Sequence, residues 1–321
     1  MPLRELVARA LLNKGDSLFA LDRRSEEIVI YDDLLARFGT ATELELREHV
    51  APALLNKGVA LGNLDRSAEE LAVLDDLLAR LGTATEFPLR EQVAMALFNK
   101  GVTLGDLDRS EEEIAVYNDL LVRFGTATEL ELLEHIATAL LNKGMALGAL
   151  NRKAEEIAVY DDLVTRFGEA TELPLREQVA VALFNKGVAL GDLDRSSEEI
   201  AVYDDLIRRF GTATEFPLRE RVATALLNKS ITLATLDRSA EAIVVYDDLL
   251  GQFGTATELP LREAVAKALL IKGLELGEFD RNAEVAVYDD FLVRFGMATE
   301  LELRELVTKA WSFKKGLGRK R

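Results

Sequence analysis

Apolar side chains recur at three- and four-residue spacing along most of the chain, broken at regular intervals by short polar segments. In 175–193, Leu175, Val179, Ala182, Leu183, Val188 and Leu190 fall on one face, as a helix with one buried side requires. Asp194-Arg195 interrupts this pattern. A short polar residue there tolerates the left-handed backbone of a reversal. A second helix is predicted over 197–210, with Ser196 and Glu199 at the spacing of a capping box. Ser67/Glu70 and Ser110/Glu113 repeat the box, Ser239 faces Ala242 instead, and Arg24 and Lys153 replace the serine. Those last two caps are expected to be weaker. Phe210-Gly211 ends the second helix, glycine being suited to a terminating conformation. Pro217, like Pro88, Pro174 and Pro260, then suits the first turn of the next helix.

This two-helix pattern recurs along the chain. A Leu-Arg-Glu triplet begins at Leu3, Leu46, Leu89, Leu175, Leu218 and Leu261, and Leu132-Leu133-Glu134 fills the fourth row. The step is 43 residues, falling to 42 at the end, where one residue is missing near Glu284-Val285. Periods of this length mark solenoids or propellers, and helical hairpins select the solenoid. The expected architecture is all-α, an α-solenoid of antiparallel helix pairs spanning 1–321. Its repeats are 3–45, 46–88, 89–131, 132–174, 175–217, 218–260 and 261–302, followed by a capping helix at 303–321. A lone hairpin leaves an apolar flank wet, so neighbours must cover it. Inside the second helices, Asp33/Arg37, Asp76/Arg80, Asp119/Arg123, Asp162/Arg166, Asp205/Arg209 and Asp290/Arg294 stand four apart. Each pair contributes a few tenths of a kcal/mol.

The core of each unit is exemplified by Leu183-Phe184-Asn185-Lys186-Gly187, Leu190-Gly191-Asp192-Leu193, Glu199-Ile200-Ala201-Val202-Tyr203 and Leu206. It resembles a tetratricopeptide repeat, and Trp311 falls where that family prefers tryptophan. The resemblance covers the whole chain, as a long variant whose first helix gains about two turns. Glu199 and its equivalents stand where the family has alanine, and only Ala242 conforms. The resemblance implies a right-handed superhelix with the first helix of each pair (helix A) lining the concave side. It also implies a glycine in mid helix A that lets the second helix (helix B) approach.

Composition narrows the chemistry. The net charge of −17 disfavours nucleic acid as a partner. The basic tail from Lys314 to Arg321 reads as a solvated terminus. Without cysteine there is no disulfide and no thiolate chemistry. The amphipathic start, Met1-Pro2-Leu3-Arg4-Glu5, does not resemble a signal peptide, and no apolar run is long enough to span a membrane. A cytoplasmic setting is expected. The adjacent aspartates, such as Asp204-Asp205, do not share a helix face, and no catalytic, metal or cofactor motif stands out. His49 and His135 lie in one column, two units apart, too far for a shared metal.

The recurring residue without a packing reason is asparagine in mid helix A: Asn13, Asn56, Asn99, Asn142, Asn185 and Asn228. A ladder of amides is suited to the backbone of an extended peptide. Bonding to neighbouring helices is the other reading. In carboxylate-clamp members of the family, similarly placed asparagines work with nearby lysine or arginine. Around the ladder runs a varying stripe: His49, Pro52, Val59; Gln92, Met95, Val102; His135, Thr138, Met145; Gln178, Val181, Val188; Arg221, Thr224, Ile231. The candidate peptide- or protein-binding residues are therefore Asn56, Asn99, Asn142, Asn185, Asn228, His49, Gln92, His135, Gln178 and Arg221. At the ends, Ser312, Lys314 and Lys315 read as capping replacements for Phe, Asn and Gly, whereas Leu6, Leu12 and Phe19 are expected to stay exposed. The function this implies is a scaffold for a protein or peptide partner on the concave helix A surface. The alternative is a structural array that associates with itself.

Overall fold

The computed structural model describes residues 2–318, and those residues form an all-α solenoid. The A helices are α1 (Pro2–Ala20), α3 (Leu44–Gly62), α5 (Phe87–Asp106), α7 (Leu130–Ala149), α9 (Leu173–Gly191), α11 (Phe216–Thr235) and α13 (Leu259–Gly277). The B helices are α2 (Arg24–Phe38), α4 (Ser67–Leu81), α6 (Ser110–Phe124), α8 (Lys153–Phe167), α10 (Ser196–Phe210), α12 (Ser239–Phe253) and α14 (Arg281–Phe295). A last helix, α15, covers Leu301–Gly318. Arg319, Lys320 and Arg321 of the basic tail lie outside the described residues.

The helices gather into two compact units, one up to Phe167 and one from Gly168. Within each unit, every A helix packs against its own B helix, the preceding B helix and the next A helix. The apolar columns explain this. Leu46, Leu89, Leu132, Leu175, Leu218 and Leu261 are buried at one level of helix A, and Tyr31, Tyr117, Tyr160, Tyr203, Tyr246 and Tyr288 are fully buried in helix B. The mid-A glycine admits the tyrosine of its own hairpin: a methyl on Gly101 would fall 2.3 Å from Cε1 of Tyr117.

The turn between A and B behaves as its sequence suggests. Asp22, Asp65, Asp108, Asn151, Asp194 and Asp237 all have φ near +56°. All six i,i+4 Asp–Arg pairs form, at 2.7–2.9 Å. In five of them the arginine also donates to a glycine carbonyl 40 or 41 residues earlier, from Arg80 to Gly39 through Arg294 to Gly254.

Four expectations are corrected. The capping boxes do not form. In α4, α6, α10 and α12 the serine is already the first helical residue, the N-cap is an arginine, and no side chain caps. The glutamate turns inward instead. The glycines that end helix B keep right-handed helical backbone, φ near −60°, so conformational freedom is not their purpose. They provide clearance: a methyl on Gly39 would fall 2.5 Å from the Leu35 carbonyl and 2.9 Å from Arg80 Nη1. The residue missing from the seventh unit is lost from its turn, because α14 keeps the length of the other B helices. The left-handed aspartate goes with it, and Asp280 caps α14 by accepting from the Asn282 and Ala283 amides. At the C-terminal end, Lys314 is not a capping replacement, since it pairs with Asp289 as a column lysine. Phe313 stands in the asparagine column and Lys315 in that of glycine.

Candidate functional site

The Asn-Lys pair in mid helix A faces the preceding B helix. Asn142 Nδ2 donates to the Tyr117 hydroxyl at 3.1 Å, and Asn228 to that of Tyr203 at 3.3 Å. Asn56 donates to Tyr31 at 3.4 Å and to Asp16 at 3.1 Å. Burial, the dominant cause, pushes the Tyr203 hydroxyl up to about 12 and raises Tyr31 and Tyr117 further. These tyrosines therefore stay protonated and can also donate. Asn99 and Asn185 occupy the same face, half-buried.

The lysine beside each asparagine reaches the first aspartate of the preceding Asp-Asp pair, as in Lys57–Asp32 at 2.6 Å, Lys100–Asp75 at 2.5 Å and Lys229–Asp204 at 2.6 Å. Lys272–Asp247 and Lys314–Asp289 continue the series. In Asp32-Asp33, Asp75-Asp76, Asp204-Asp205 and Asp289-Asp290 the second aspartate holds the arginine of its own helix, so the pair splits its work between the neighbouring hairpin and that helix; Asp248 has Gln252 where the others have arginine. Lys143 has Asn118 rather than an aspartate 25 residues before it, and burial lowers its pKa. With the column lysines engaged in this way, the carboxylate-clamp arrangement lacks free cations at 57, 100 and 229.

Of the rest of the stripe, Met145, Val188 and Ile231 are exposed, while His135 and Arg221 pack on the preceding A helix. The His135 ring meets Phe98 edge-on at 5.0 Å, and its Nδ1 lies 2.6 Å from the Glu131 carbonyl. The Arg221 guanidinium stands over Phe184 at 5.3 Å. Gln92 and Gln178 each bury a side-chain oxygen without a hydrogen-bond partner in the structure. His49 and Pro52 are half-buried on α3. Among the described residues, no three His, Cys, Asp or Glu side chains gather as a metal site.

A second column did not stand out in the sequence because it resembles a cap. Glu27, Glu70, Glu113, Glu156, Glu199 and Glu284 are buried. From Glu70 onward these carboxylates fill the space above a second helix A glycine, and a methyl at Gly62, Gly105, Gly148, Gly191 or Gly277 would fall about 3 Å away, whereas the first hairpin has Phe19 at that position. The signal was a paired substitution, since the sixth hairpin carries Ala234 and Ala242 in place of this Gly and Glu. The buried charge is compensated differently in each repeat. Arg24 pairs with Glu27 at 3.2 Å, and Lys153 with Glu156 at 3.2 Å. Thr232, 33 residues on, donates to Glu199 at 2.8 Å, and Thr103 stands beside Glu70 at the same interval. Glu113 has Ala146 at that distance along the chain, and burial, with a contribution from Asp106, pushes its carboxyl up to about 7.

Between the second and third hairpins this surface opens into a cleft of about 460 Å³, lined by Val59, Asn99 and Val102 of the stripe and by Glu70 of the buried column.

No protein-family model matches the sequence, and no curated protein does. Solved structures do. RapI in its apo form is 10% identical and aligns over 96% of this chain and 86% of its own, with a TM-score of 0.62. The fold is tetratricopeptide-like. BtubC from P. vanneervenii is 12% identical over 83% of this chain and 92% of its own, at 0.50. A tetratricopeptide repeat protein from Parabacteroides merdae is 15% identical over 95% and 99%, at 0.46. In tetratricopeptide-like terms, the mid-A glycine and the helix B tyrosine are the frame, and the varying stripe is the surface that frame presents.

Proposed function

We propose that the chain is a protein-interaction scaffold that holds a peptide or protein segment along the helix A surface, without a reaction of its own. One observation carries this reading. The half-exposed stripe from His49 to Arg221 changes identity from repeat to repeat, while the columns beneath it stay fixed and buried. A fixed frame with a varied face suits recognition. Within each unit, A helices touch the next A helix whereas B helices pack only on A helices, which favours A on the inner side of any curvature. The asparagines held by tyrosine present a side-chain oxygen at fixed orientation, an acceptor suited to backbone amides. Chain charge argues for a partner other than nucleic acid.

The test is affinity capture with the full chain and with an Asn99→Ala/Asn142→Ala double variant, helicity and melting being followed in parallel. Loss of the captured segment at unchanged helicity is expected. Equal capture by both chains counts against the surface.

Self-association is the second reading, favoured by the first hairpin, where Leu6 and Phe19 are 48% and 45% exposed while Leu12 is half-buried. Sedimentation across micromolar concentrations separates the two: a lone species at every concentration removes the second.

A further inference from the structure

The tyrosine–asparagine link is missing at one place in the first unit. The buried helix B column reads Tyr31, Leu74, Tyr117 and Tyr160. Leu74 has no hydroxyl, so Asn99, which stands opposite it in the column order, lacks the partner that Asn56 and Asn142 have. Among the described residues the Asn99 side chain makes no hydrogen bond, and only its backbone carbonyl is used, by Thr103 at 3.0 Å. This unengaged amide lines the 460 Å³ cleft together with Val59, Glu70, Val102, Thr103 and Asp106.

Glu70 gives the cleft its chemistry. It is 8% exposed, and its carboxylate has the Thr103 hydroxyl beside it but, among the described residues, no ion pair. Its counterparts Glu27 and Glu156 have Arg24 and Lys153, but Ser67 stands at that position here. Asp106, beside it, is likewise without an ion pair among the described residues. No lysine or arginine lines the cleft. A buried carboxylate without a countercharge is costly, and an incoming cation removes that cost.

We infer that this cleft takes the cationic head of a basic side chain, ammonium or guanidinium, presented by a partner peptide. The aliphatic stem lies along Val59 and Val102, the head is turned to Glu70 and Asp106, and the Asn99 side-chain oxygen accepts from it. The inference rests on the interaction reading above and names the partner chemistry at one point on that surface.

The probes are N-acetyl-lysine methylamide, N-acetyl-arginine methylamide and, as the uncharged stem, N-acetyl-norleucine methylamide. Each is titrated into the full chain while the Asn99 side-chain amide and the Thr103 and Asp106 backbone amides are followed by NMR. Saturable shifts are expected with a cationic probe and none with norleucine, and the two cationic arms show which head fits. Leu74→Tyr restores the residue found opposite the mid-A glycine in five other hairpins and re-engages Asn99. The saturable response should weaken at least about tenfold, since one charge-assisted hydrogen bond contributes 1.5 kcal/mol or more. Glu70→Gln, which keeps the side-chain volume, is the second variant and should do the same. Shifts that are unchanged in both variants, that never saturate, or that are absent with both cations overturn the site. A partner captured equally by wild type and Leu74→Tyr also overturns it but leaves the scaffold standing. A saturable probe response without any captured partner does the reverse.

Discussion

At the residue scale the buried glutamates set the pH response. The Glu113 carboxyl is raised to about 7, chiefly by burial, so the folded chain binds this proton more tightly than the unfolded one. Its contribution is fully present below the ordinary carboxyl range and is lost as pH rises towards 7. Glu113→Gln fixes the neutral form. It should leave the unfolding free energy read from urea denaturation nearly unchanged at pH 4 and raise it at pH 8 by on the order of 2 kcal/mol. A raised midpoint at both pH values would show that packing, not charge, is at issue. The tyrosines give a paired test. Tyr117→Phe strips Asn142 of its acceptor and should cost about 0.5–1.5 kcal/mol. Tyr288, whose column partner is Phe313 rather than asparagine, has a buried hydroxyl with no partner in the structure, and Tyr288→Phe should be neutral or stabilising in the same denaturation assay. The asparagine ladder was legible in the sequence, but its partner was not. Asn142 and Tyr117 stand 25 residues apart on different hairpins, and only packing brings them together.

At the element scale glycine has opposite meanings in different places. Gly101 lies against Tyr117, and Gly101→Ala should cost about 1–3 kcal/mol through overpacking. Gly251, on α12, has nothing within 4 Å of a methyl. There Gly251→Ala should stabilise by about 0.5–1 kcal/mol through helix propensity alone, and thermal melts read both. Helix positions followed from the 3.6-residue period, and the left-handed aspartates from turn chemistry. The start of helix B was misread because Ser-x-x-Glu fits two jobs. Its glutamate four residues into α10 can reach back to a cap or inward above Gly191, and burial decides for the second.

At the scale of the whole molecule, contacts run between neighbouring hairpins, so damage should stay local. Asp280 is the side-chain cap of α14, and Asp280→Ala should cost about 1 kcal/mol. Hydrogen exchange should speed up across α13 to α15 and remain unchanged in α3 to α6. Uniform acceleration would mean that the chain opens as one cooperative body. The alternation of paired helices was legible in the sequence, whereas the gathering of helices into two units is a matter of contact density that the Leu-Arg-Glu rows do not carry.

The ties between hairpins recur at set intervals: 25 residues from lysine to aspartate, 39 from arginine to the glutamate at the next N-terminus, and 41 from the helix B arginine to glycine, the last two one shorter across the shortened seventh hairpin. Excising or duplicating one whole period therefore leaves every surviving bond with a partner at its usual interval. The number of hairpins, and with it the length of the helix A face, can therefore change in single-hairpin steps without altering the bonds within those that remain.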